Sequence, residues 1–283
     1  MPKNPAVTYE NRLILFLDFL GFKEIVDRTM TDSELLERVL VAIDEIGELA
    51  DDSAFRKSQR VTQFSDSIVV SYHVNEESAV FWLLNQVAFC IINLVGMGFL
   101  VRGAITSGDM LHSDRYLIGP AMVRAYELES KHAKYPRVIV DPKVIDLARH
   151  NRRHLHTPKE EEEYVRSYLT NDYDGRLYYN YVSWDSVVNV AGLDDYYYPE
   201  YIARIGKIVE CGLAHSDPTV CEKYLWLHKQ YVSSLDLIKK LPTDNPYPLE
   251  NAEICEAIDG LPKLNKLSHE AAERVNTVKK SKR

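Results

Sequence analysis

Leu13-Ile14-Leu15-Phe16-Leu17-Asp18-Phe19-Leu20-Gly21-Phe22 is the stretch on which the reading of this chain turns. Five consecutive apolar residues predict a strand covered on both faces. Asp18 sits at its C-terminal end, where a carboxylate is costly to bury unless something pairs with it. Such an acid is either a strand-end cap or turn residue or a ligand. Gly21, three residues on, lets backbone approach a bound group closely. A second stretch, Gln63–Tyr72 (QFSDSIVVSY), repeats the logic with Asp66 at a strand-turn-strand junction. Carboxylates delivered from two strand ends make an oxygen donor set suited to one or two Mg²⁺ or Mn²⁺ ions beside phosphate groups.

Working outward, apolar spacing predicts a helix over residues 31–50, capped by Asp32 or Ser33. A hairpin follows over 60–72, then a strongly apolar helix over 77–95 and a strand over 99–108. A loop through Tyr116 leads to Gly119, a helix to about Lys131 and a short strand over 137–140. This β-α-β-β-α-β order predicts an α+β, ferredoxin-like sheet with helices on one face. Beyond 145 the chain reads as an α-rich extension. It has a charged stretch at 150–163 whose Glu160–Glu163 run reads as solvated, a strand at 176–182 and a helical pair at 201–213 and 220–241. Its Lys/Glu-rich end, from Leu264, reads as fraying. Tyr196–Tyr198 read as packing residues.

The net charge of −8 argues against a general nucleic-acid or anionic-membrane surface. Any polyphosphate ligand is then held by local devices. Cys90, Cys211, Cys221 and Cys255 show no metal-ligand spacing, and Cys90 reads as a buried thiol. No signal peptide is apparent, and the apolar stretch 88–101 is interrupted and short for a bilayer span. A cytoplasmic protein without membrane or nucleic-acid partners is expected.

The order of these units, with VRGAITSGD (101–109) and IGPAMVRAYELES (118–130) following the two acids, resembles the class III nucleotidyl cyclases. Within them it most resembles the pyrimidine cyclases of bacterial antiphage (Pycsar) systems. The resemblance implies a cyclase catalytic domain over 10–145, with 146–283 as the α-rich extension. It also implies conversion of UTP, or less readily CTP, to the cyclic monophosphate and pyrophosphate. Asp18, Asp66 and the backbone carbonyl of Phe19 would hold two Mn²⁺ or Mg²⁺ ions. The backbone from Leu20 through Gly21 and Phe22 to Lys23 would cradle the phosphates at a helix start, Lys23 either adding charge or facing solvent. A homodimer with its sites at the interface is implied, with a separate cyclic-nucleotide effector protein downstream.

The base-reading positions fall on Thr62 and Tyr116, a small hydroxyl and a bulky phenol, which is consistent with a pyrimidine. The helix positions that contact ribose and transition state in purine cyclases fall on Val123 and Glu127, which cannot do that work. Either Arg124 or Arg102 supplies the missing positive charge, or the chain is a catalytically inactive nucleotide-binding regulator. Arg102 also has an ordinary reading as a structural ion pair. A purine cyclase with unusual base readers is the remaining alternative.

Overall fold

The computed structural model describes residues 8–48, 58–236 and 246–281. The chain divides into two compact units, one spanning 1–90 and 99–179, the other 91–98 and 180–283.

The first unit is built on one sheet. Its strands are β1 (Glu10–Phe19), β2 (Arg60–Phe64), β3 (Ser67–His73), β4 (Val101–His112), β5 (Leu117–Ile118), β6 (Val138–Val140), β7 (Leu169–Asn171) and β8 (Leu177–Tyr179). The helices are α1 (Phe22–Thr29), α2 (Ser33–Glu48), α3 (Ala79–Gly96), whose last residues, from Ile91, are counted with the second unit, α4 (Pro120–His132), α5 (Lys143–His150) and α6 (Pro158–Ser167). The strand order is β2-β3-β1-β4-β6-β8-β7, with β5 paired to β4 off this path. Each neighbouring pair among the first four strands in this order is antiparallel, which is the ferredoxin-like arrangement expected from the order of elements. β6 then runs parallel to β4.

β1 is central because it can be buried on both sides. Leu13, Leu15 and Leu17 alternate with Ile14 and Phe16, and all five are at most 3% exposed. Ile14 and Phe16 share a cluster with Val69, Met110, Ala121 and Ala125, which seats α4 on that face. α4 begins at Gly119, whose φ of 146° and closeness to β4 both require glycine: a Cβ would lie 2.5 Å from Met110 Cα. Asp32 caps the segment leading into α2, its Oδ1 accepting from Leu35 N–H at 2.9 Å.

Residues 146–179, read from sequence with the extension, belong to the sheet unit. The link is Arg137, whose fully buried guanidinium pairs with Asp172 and, at 2.7 Å, with Asp174. The acidic run is not uniformly solvated. Thr157 and Glu160 form a capping box at the start of α6, and Glu161, one residue on, is 1% exposed beside Val165 on the buried face. α3 is long and apolar enough to cross a membrane by length and composition, and most of it is buried inside the protein.

The second unit contains a π-helical segment (Asp185–Val190), a 3₁₀ turn (Asp195–Tyr197), α7 (Tyr198–Leu213), α8 (Pro218–Leu235), α9 (Tyr247–Glu250), α10 (Ala252–Asp259) and α11 (Asn265–Ser281). The expected helical pair is present as α7 and α8; residues 237–241 lie outside the described residues. The two helices pack closely because α7 carries glycines against tyrosines of α8: a Cβ on Gly206 would lie 2.8 Å from Tyr231 Oη, and one on Gly212 would overlap the Tyr224 ring. Of the three tyrosines at 196–198, only Tyr198 is a packing residue, its hydroxyl donating to Val182 O at 2.7 Å; Tyr196 and Tyr197 are exposed. The C-terminal end does not read as frayed either. α11 packs against α8, with Ala271 and Val275 buried one turn apart.

Candidate active site

Asp18 lies one residue from the end of β1, and the ladder places Ser67 of β3 and Arg102 of β4 directly opposite it. Both neighbours bond to it. Ser67 Oγ donates to Oδ1 at 3.1 Å, and the Arg102 guanidinium donates to Oδ2 at 2.9 and 3.1 Å. Arg102 is shared: its Nε also lies 2.6 Å from Oε1 of Glu129, which α4 buries to 2% exposure. Burial raises the Asp18 carboxyl above the usual aspartate range, and the nearby Asp66 charge adds to that. Arg102 and Ser67 oppose it.

Asp66 reaches the same end of the sheet from the β2–β3 turn. Ser65 there adopts the left-handed region, with φ 55°. The Phe19 N–H donates to Asp66 O at 3.2 Å, fixing the turn against the end of β1. The chain then reverses at Gly21 (φ 76°), which is the N-cap of α1 and offers no capping side chain. The N-cap position therefore supplies no side-chain acceptor to the first turn of α1. Phe19 and Leu20 are buried, while Lys23 is exposed on α1.

Among the described residues no three His, Cys, Asp or Glu side chains form a metal cage. The donors at hand are the carboxylates of Asp18 and Asp66. Such a set fits a hard divalent cation that keeps several waters and shares phosphate oxygens. It does not fit a metal held by protein alone.

Thr62 lies in a second polar group on the α4 side of the sheet. The end of β4 crosses to it: His112 Nε2 lies 2.9 Å from Thr62 Oγ1 on β2, and Nδ1 lies 2.8 Å from Ser71 Oγ on β3. Ser71 Oγ in turn accepts from Arg12 Nε at 2.8 Å. Ser71 Oγ and Thr62 Oγ1 thus bracket the two ring nitrogens of His112, the direction of each bond being set by the imidazole tautomer. Burial, with Arg12 and Arg60 nearby, pushes the His112 pKa down to about 4, so the ring is neutral at pH 7. Sequence reading missed His112, Ser67 and Glu129; none carries a motif, and each is found only through the strand register and α4.

The other expected residues are placed as follows. Arg124 on α4 donates to Asp141 Oδ2 at 3.2 Å, with its side chain 46% exposed, and is not brought to Asp18. Val123 is 61% exposed, and Glu127 pairs with Lys131 at 2.8 Å. Tyr116, half-exposed in the β4–β5 loop, carries Arg115 over its ring. Phe64, Ile118 and Tyr126 are also exposed on the elements around this face.

No family model matches the sequence, and no curated protein does. Solved structures similar to it include the adenylyl cyclase CyaB from P. aeruginosa, at 14% identity and TM-score 0.41, covering 50% of this chain and 82% of that one. The catalytic core of a rhodopsin-guanylyl cyclase with converted specificity, in complex with ATPalphaS, matches with the same identity, coverage and TM-score. The monomeric guanylyl cyclase domain of the RhoGC fusion protein from the aquatic fungus Blastocladiella emersonii matches at 14% identity and TM-score 0.43, over 62% of this chain and 97% of that one.

Proposed function

We propose that this protein is a nucleotidyl cyclase acting on a pyrimidine nucleoside triphosphate. The observation that carries the reading is the meeting of Asp18 and Asp66 at one end of the sheet, beside the uncapped start of α1. In the reaction the ribose 3′-oxygen bonds to the α-phosphorus, the bond from that phosphorus to the bridging oxygen breaks, and pyrophosphate leaves as the hydroxyl proton is lost. Asp18, Asp66 and the Phe19 carbonyl would hold Mn²⁺ or Mg²⁺, which supplies charge neutralisation and a more acidic 3′-hydroxyl when bound. The Leu20 N–H is taken by Leu100 O at 2.8 Å, so the backbone from Gly21 to Lys23 would supply the N–H groups for the terminal phosphates, where the helix start favours anions. Arg102 holds Asp18 in its rotamer from across the ladder. Arg124, more exposed on α4, is the positive group available to a site on a second copy.

UTP is favoured over CTP by Thr62. With the His112 proton on Nε2, Thr62 Oγ1 accepts from the ring and its own proton is available to a ligand, where a donor suits the 4-carbonyl of uracil better than the 4-amino group of cytosine. The exposed Phe64, Ile118, Val123 and Tyr126 support a homodimer through this face. In antiphage signalling the cyclic product would act on a separate effector protein. Val123 and Glu127 favour a second reading, an inactive nucleotide-binding regulator.

The test is to incubate the protein and Asp66→Ala with ATP, GTP, CTP or UTP plus Mn²⁺ and identify products by mass. Cyclic UMP from the wild type, reduced about 100-fold or more in the variant, is expected. A cyclic purine nucleotide alone would overturn the base assignment. Mn²⁺-dependent binding of the triphosphates without turnover would establish the regulator.

A further inference from the structure

The start of α3, the loop after α5 and the start of α6 enclose a cavity of about 290 Å³ lined by Phe81, Trp82, Arg153, His156, Glu161 and Tyr164. The loop is pinned in place: Ser78 N–H donates to Asn151 O at 2.8 Å, and His154 N–H donates to Glu77 Oε1 at 2.6 Å. Trp82 and Tyr164 stand nearly half-exposed at the rim, with Phe81 edge-on between them, its ring 5.2 Å from Trp82 and 6.4 Å from Tyr164. Glu161 lines the same cavity with its side chain 1% exposed. Its Oε2 accepts from His156 Nδ1 at 2.7 Å and from Arg153 N–H at 3.4 Å, while Oε1 has no partner among the described residues. A buried carboxylate oxygen left unpaired is costly, so an acidic group here calls for a donor.

We propose that this cavity binds the guanine base of a nucleoside monophosphate. Guanine presents two adjacent donors, N1–H and the 2-amino group, to a carboxylate, and a flat face to aromatic rings. Adenine and cytosine turn a ring acceptor towards the carboxylate, and uracil flanks its one N–H with two carbonyls. Arg153, exposed at the rim, suits an attached phosphate and disfavours a simple organic cation. The site is separate from the Asp18 end of the sheet. β3 runs from Ser67 beside Asp18 to His73 beside Arg12, a rise of about 20 Å, and the cavity begins five residues beyond His73. The proposal stands apart from the cyclase reading.

Titrate the full chain, in EDTA, with GMP, IMP, AMP or UMP, following heat and tryptophan fluorescence. Expected is binding in the order GMP, IMP, AMP, with GMP at least about tenfold tighter than AMP. Glu161→Gln weakens GMP about tenfold or more and Asp66→Ala leaves it unchanged. Should Glu161→Gln fail to fold, Trp82→Leu, at an exposed position, weakens GMP by calorimetry and keeps the order. Equal affinities, no binding, or loss of GMP binding in Asp66→Ala each overturns the proposal, and none of these outcomes bears on turnover of triphosphates.

Discussion

His112 is neutral because its ring is buried, with the charges of Arg12 and Arg60 close by. In the unfolded chain it titrates near 6.5, and in the fold near 4. Between those values the unfolded chain binds a proton that the native state refuses, so stability falls as pH drops from 6.5 to 4 and levels off below. The contribution is on the order of 3 kcal/mol at its limit. Urea midpoints measured across that window should therefore fall steeply in the wild type and less in His112→Gln; parallel profiles would place the acid sensitivity elsewhere. At this scale the position of Asp18 at the end of β1 and of Asp66 in the β2–β3 turn was legible, because each acid closes or opens an apolar strand. Arg102 was legible only as a choice between ion pair and ligand. Its contact with Asp18, 84 residues away, depends on a β1–β4 register that a single sequence does not encode locally.

Between elements, the α7–α8 contact depends on the missing side chain of Gly212, since a Cβ there would meet the Tyr224 ring. Gly212→Ala should cost about 1–3 kcal/mol by overpacking, seen as a lower denaturation midpoint; an unchanged midpoint would mean that the ring moves aside freely. The helices α2, α3 and α7 and the hairpin β2–β3 were readable because their apolar periods are long and clean. β5 and β7, of two and three residues, are too short to show a period. α11 was misread because lysines and glutamates dominate its composition, although Ala271 and Val275 keep the helical spacing of a buried stripe. Glu161 was hidden in the same way, as one inward-facing acid in a run of four.

For the whole molecule, the exposed residues on α4 and β5 make a specific claim about association. Val123→Glu places a charge at a position 61% exposed, where a change in the monomer's own stability should stay within about 0.5 kcal/mol. Light scattering should show a dimer for the wild type and a monomer for the variant, with cyclase activity lost alongside; an active monomer would remove the interface from the mechanism. The sheet order adds a constraint of a different kind. Among the described residues its outer strands are β2, five residues long, and β7, three residues long. Each offers few unpaired backbone groups, and Arg60 and Gln63 keep the first of them polar. Growth by adding strands to strands is therefore poorly supported at either margin, and two copies that associate have to meet side chain to side chain.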